Sequence, residues 1–160
     1  MAEFYMHRNR YLVEIELELD NIKLIWEELS KVVKNLKHEE PDVILKAATS
    51  SFMAQYYNGI ENILKRITKY FNIPLPKTES WHYELFTYFC EPPYSLLPVL
   101  FDSGIKAEIN ELRKFRHRVH HGYSFTLDWT DLLIGANSVL NTFDSFSKNV
   151  LVFLDSHLPN

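Results

Sequence analysis

Leu12, Ile15, Leu19, Ile22, Trp26, Leu29 and Val33 recur at spacings that alternate between three and four residues. Apolar side chains so spaced line one side of an α-helix, and a stripe this long must be buried against another element. The run Glu14-Ile15-Glu16-Leu17-Glu18-Leu19 also alternates as a strand would. The longer helical register, with Lys, Glu and Leu around it, decides for helix. This helix has to stop before Pro41, because the residue preceding a proline avoids the α region.

Pro41 suits an early position of a second helix, and Asp42 suits its N-terminal turn. The pattern predicts that helix to about residue 71, with Leu45, Phe52, Tyr56, Ile60, Ile63 and Ile67 on its inner side. Asn72-Ile73-Pro74-Leu75-Pro76 then ends it, since two prolines cannot continue a helix. Residues 80–90 form a short aromatic-rich helix closed by Glu91-Pro92-Pro93, and 94–101 has no regular period. Asp102 or Ser103 can cap a further helix to about His121, with Ile105, Ile109, Leu112, Phe115 or Arg116, and Val119 along one side. Gly122 follows where a left-handed C-terminal residue is expected. A last helix begins near Asp128 and carries Leu132, Leu133, Val139, Leu140, Phe143, Phe146 and Val150.

With only 4 glycines in 160 residues, a sheet with many tight turns is disfavoured. The expectation is one all-α domain over residues 1–160, a four-helix bundle with one additional short helix. The first two long helices, joined by a short link, should pack antiparallel. A single cysteine, Cys90, excludes an internal disulfide and a Cys-rich zinc site. It lies among apolar residues and reads as an inert thiol. Residues 1–10 carry no apolar signal core and no apolar run is long enough to span a bilayer, so the expected location is cytoplasmic.

The formal net charge is −4, so a nucleic-acid ligand would have to be held by a local patch. One segment supplies it: Arg113-Lys114-Phe115-Arg116-His117-Arg118-Val119-His120-His121-Gly122-Tyr123. On a helix, His117 and His121 share a face while Arg116 and His120 form the adjacent row. An imidazole can move protons near neutrality, and an arginine beside it can hold a phosphate and stabilise its developing charge. That combination suits RNA cleavage. Basic side chains in a last helical turn also simply stabilise the helix. A zinc site from His117, His120 and His121 is a third reading, although no carboxylate follows at ligand spacing.

Arg116, four residues, His121, one residue and Tyr123 match R-x4-H-x-Y, the signature of HEPN ribonucleases and of HepT-like toxins in particular. By chance such a match arises in well under ~1% of chains this long. The stretch Tyr57-Asn58-Gly59-Ile60-Glu61-Asn62-Ile63-Leu64-Lys65-Arg66-Ile67 also resembles the second helix of HepT-like proteins. The resemblance implies a metal-independent endoribonuclease without a cofactor, acting as a homodimer whose two motifs face one cleft. It implies that Arg116 and His121 are catalytic, with His117, Arg113, Arg118 and His120 supporting them or contacting RNA. It further implies an MntA-type minimal nucleotidyltransferase antitoxin as partner, with Tyr123 as the acceptor of AMP. Attaching a bulky anion two residues from His121 would block the cleft and offset its positive field.

Two other readings compete. A non-catalytic helical HEPN-like module that binds a protein or nucleotide would share the same helical pattern, although retention of Arg116 and His121 favours catalysis. A metal-dependent enzyme built on the histidine cluster would lose activity in strong chelator. The aromatics of residues 81–101 can stack bases, but their apolar neighbours favour core or dimer surface.

Overall fold

The computed structural model describes residues 9–35, 40–122 and 127–157, and its regular elements are all helices. They are α1 (Arg10–Asn35), α2 (Val43–Tyr70), α3 (Trp81–Tyr88), α4 (Lys106–His121) and α5 (Trp129–His157). Four long helices with one short helix between the second and third of them form an all-α bundle. Among the described residues, no helix is long and apolar enough to cross a membrane.

The α1 stripe packs as its spacing predicts: Leu12, Ile15, Leu19, Ile22 and Leu29 are buried, and Trp26 and Val33 lean on the same core. Its main partner is α2. Glu14 and Glu18 of α1 meet Arg66, Glu18 also accepts from Asn62, and Ile22 lies against Gly59. Rising numbers on one helix pair with falling numbers on the other, so the two run antiparallel. A Cβ on Gly59 would sit 2.6 Å from Ile22 Cγ1, which makes glycine the residue that allows this approach.

Helix α2 is buried on more than the predicted stripe. Met53, Ala54, Tyr57, Glu61 and Leu64 are as inaccessible as Tyr56, Ile60, Ile63 and Ile67, because α2 packs against all four other helices. Its start differs slightly from expectation: Asp42 is the N-cap, accepting from Leu45 N at 2.8 Å, and Pro41 lies just outside the helix. At its end Asn72 takes a left-handed φ of 55°. Ile73 N donates to Thr68 O at 2.8 Å and Asn72 N to Lys69 O at 3.1 Å, which satisfies the last carbonyls.

Two expectations about α4 are corrected. It begins at Lys106, not at Asp102 or Ser103, and its N-cap, Ile105, makes no side-chain cap bond. The Asp102 carboxylate instead closes a turn by accepting from Gly104 N at 2.9 Å, and burial of Ile105 draws the chain inward there. At the other end Gly122 is extended (φ −147°, ψ −177°) and not left-handed. The chain therefore leaves the helix straight, and no αL cap forms. Asp128 caps the start of α5, its side chain accepting from Thr130 N at 2.7 Å.

Candidate active site

Helix α4 carries Ile109, Leu112 and Phe115 into the core, which turns its opposite side outward. That side presents His117, His120 and His121, while Arg113 and Arg116 lie at its edge, half-buried beside α3 and α2. The His117 and His121 rings, one turn apart, lie 4.5 Å between centroids, tilted by 58°. Both are exposed, as is His120. The helix C-terminus adds its partial negative charge next to these imidazoles.

Arg116 is half-buried, and its Nε donates to Asn58 Oδ1 at 2.7 Å. This bond joins α4 to the middle of α2, next to the Gly59 contact that holds α2 on α1. One edge of the guanidinium is thereby held, and the planar group carries further N–H donors of the kind that bind phosphate. Arg113 is also fixed. Its Nε donates to Asn110 Oδ1 at 3.0 Å, and its guanidinium lies over the Tyr83 ring, 5.0 Å from the centroid.

Beneath the two arginines lies Tyr57, fully buried, with no hydrogen-bond partner for its hydroxyl among the described residues. Burial pushes its phenol well above the ordinary value; Glu61 adds to that effect and Arg113 and Arg116 oppose it. The hydroxyl therefore stays protonated beneath the arginines. Farther along α2, Glu61 is 3% exposed and accepts two partners: His82 Nδ1 at 2.6 Å and Lys65 Nζ at 3.4 Å. Trp81 stacks on His82, and Lys65 Nζ lies 4.7 Å from the Trp81 ring. These contacts pin the start of α3 against α2 and so place Tyr83 under Arg113.

The structure thus brings Arg116, His117 and His121 to one helix end and sets Arg113 a turn behind them. It places Arg118 elsewhere. That side chain lies over Phe115, 5.6 Å from the ring centroid, and borders a separate cavity with Glu111 and Asp131 between α4 and α5. Tyr123 lies outside the described residues. Among those described, no three His, Cys, Asp or Glu side chains are grouped so as to hold a metal ion. Cys90 is half-buried, its thiol donates to Phe86 O at 3.4 Å, and burial pushes it up to about 11. It is a poor nucleophile at neutral pH.

Of the aromatics between 81 and 101, Phe86, Phe89 and Phe101 are core, whereas Tyr83 and Tyr94 are exposed. Sequence reasoning passed over Asn58 and Glu61 as parts of the site, and placed Tyr83 only among the 81–101 aromatics that can stack bases or form core or dimer surface. A signal for the first two was present, since Asn58, Glu61, Asn62 and Lys65 form a polar row along the middle of the helix. Nothing local marked Tyr83 off from its neighbours.

A family model described as HepT-like protein matches residues 48–157, from within α2 to the end of α5. No curated protein and no solved structure matches the chain.

Proposed function

The chain belongs to the HepT-like protein family, a HEPN-type helical module, and on that premise we propose that it is a metal-independent endoribonuclease toxin. The observation that carries this reading is the end of α4: two exposed imidazoles 4.5 Å apart beside an arginine anchored on Asn58 at 2.7 Å. His121 moves a proton, either taking it from the RNA 2′-hydroxyl or giving it to the leaving oxygen. Arg116 holds the scissile phosphate and meets the charge that develops on it. The 2′-oxygen bonds to phosphorus as the bond from phosphorus to the 5′-oxygen breaks. The proton lost by the first oxygen is matched by the one gained by the second. The products are a 2′,3′-cyclic phosphate and a free 5′-hydroxyl.

In this reading residues 1–160 act as one HEPN-like domain, and two chains pair so that their motifs face one cleft. Pairing concentrates two basic helix ends against a polyanion, which answers the overall charge of −4. His117 orients the reacting groups, with Arg113 and His120 contacting the strand. Arg118, turned towards Phe115, is left out of the cleft. An MntA-type nucleotidyltransferase restrains the enzyme by adding AMP to Tyr123.

Total RNA incubated in excess chelator with the unmodified protein and with His121→Ala tests the proposal. Cleavage by the first and none by the second, with folding and dimerisation intact, supports it. Equal cleavage by both removes His121 from the mechanism. No cleavage by either, once mass spectrometry has shown Tyr123 free of AMP, leaves a non-catalytic binding module.

A further inference from the structure

Lys106, Asn110, Arg113, His117 and His121 follow one another along α4 at spacings of four, three, four and four, so they share one face from its start to its end. The upper part of that face is the candidate active site. The lower part forms one wall of an open cavity of about 670 Å³ between α3 and α4, lined by Tyr83, Phe86, Lys106 and Asn110 among others. This is within the usual range for a small-ligand site. Arg113 joins the two halves, since it bonds Asn110 and covers Tyr83, both of which line the cavity.

We propose that this groove binds the single-stranded RNA next to the scissile bond, one unpaired base stacking on Tyr83 and the backbone running past Arg113 to Lys106. The inference rests on the ribonuclease reading and adds how that enzyme holds its substrate. Three features point to a strand. Tyr83 is 48% exposed although it sits among buried aromatics, and an exposed ring beside a guanidinium is a stacking platform that accepts any base. Arg113 and Lys106 place positive charge at intervals along the same wall in a chain whose overall charge is negative. Glu91, on the opposite rim, is 4.0 Å from Lys106 and 90% exposed; so loose a surface pair yields readily to a phosphate.

The spacing sets the register. At 1.5 Å per residue, Lys106 to His121 spans about 22 Å, room for roughly four to six nucleotides between extended and stacked spacing. Arg113 is about 12 Å from His121. The base on Tyr83 is therefore two or three nucleotides from the cleaved bond. Paired RNA cannot offer a base there, so the groove selects single-stranded segments.

The test is binding of a fluorescein-labelled 2′-fluoro octanucleotide, uncleavable because it lacks the attacking hydroxyl, read by anisotropy on the full-length protein. Tyr83→Leu is expected to weaken binding about 5- to 100-fold, the range of one base–aromatic stack, while Tyr83→Trp retains it. Lys106→Ala should reduce the slope of log affinity against log salt by about 0.7, the loss of one phosphate contact to a single strand. On cleavable RNA, Tyr83→Leu raises KM and leaves kcat within a few fold. Binding by Tyr83→Leu within twofold of the unmodified protein overturns the proposal, as does failure of the unmodified protein to bind. A His121→Ala variant that still cleaves overturns the ribonuclease mechanism instead, and the anisotropy comparison then decides the groove by itself.

Discussion

Replacing Asn58 by alanine removes the acceptor for Arg116 and tests whether that contact sets the geometry of the site. The bond is 2.7 Å long, donated by a cation, and both side chains are half-buried. A hydrogen bond to a charged group is worth about 1.5–3 kcal/mol net. Partial exposure lets water take up part of the loss, so the expected cost is ~1.5–2 kcal/mol. If that energy orients the guanidinium at the phosphate, kcat/KM falls about 10- to 30-fold. Single-turnover cleavage of a fluorogenic oligoribonucleotide measures it, with a thermal melt to confirm the fold. The decisive comparison is a double-mutant cycle: with Arg116→Ala already present, Asn58→Ala should cost almost nothing more. Full activity in Asn58→Ala, or an equal loss in both backgrounds, would refute the positioning role.

Two further outcomes concern stability. Glu61 is 3% exposed while His82 and Lys65 are each 31% exposed, so losing a partner is not symmetric. His82→Leu leaves a buried carboxylate with Lys65 alone, whereas Glu61→Gln leaves His82 and Lys65, both of which reach water. Urea unfolding should find His82→Leu the more costly by about 1 kcal/mol or more; equal or reversed costs would show that Glu61 is solvated. The second outcome is alkaline. Burial suppresses the acid dissociation of Tyr56, Tyr57 and Cys90 in the folded chain, raising each above its ordinary value. The unfolded chain thus loses these protons first, so stability present below pH 9 is lost progressively as pH rises from 9 to 10 upward, towards the raised folded values. Discounting the partly exposed Cys90, about 2 kcal/mol goes by pH 10.5, lowering Tm by ~4–8 °C relative to pH 8. A melting temperature flat over that range would contradict the burial of the two phenols.

Much of the bundle could be read from local pattern because helices declare themselves locally. The stripe from Leu12 to Val33, the prolines at 74 and 76 and the shift to an aromatic run at 81 each mark an element or its end without reference to any other. Helix ends were less legible. Asp102 has the chemistry of a cap, but the core pulls in Ile105 and moves the helix start to Lys106. Gly122 has the freedom to turn left-handed, yet it stays extended. At Asp102 tertiary packing outweighs a local preference worth about 1 kcal/mol.

The candidate site divides the same way. Arg116, His117 and His121 were legible because their partners lie within one or two helical turns, where the 3.6-residue repeat alone decides who meets whom. The sequence by itself determined an all-α chain and a basic, histidine-bearing helix end. Only the tertiary structure decided that Asn58, 58 residues away, holds Arg116, that Glu61 and His82 anchor α3, and that Tyr83 lies under Arg113 while Arg118 turns to Phe115. The reason is that these choices depend on how helices sit against one another. That is set by close packing summed over many side chains, such as Ile22 against Gly59, and no local spacing encodes it.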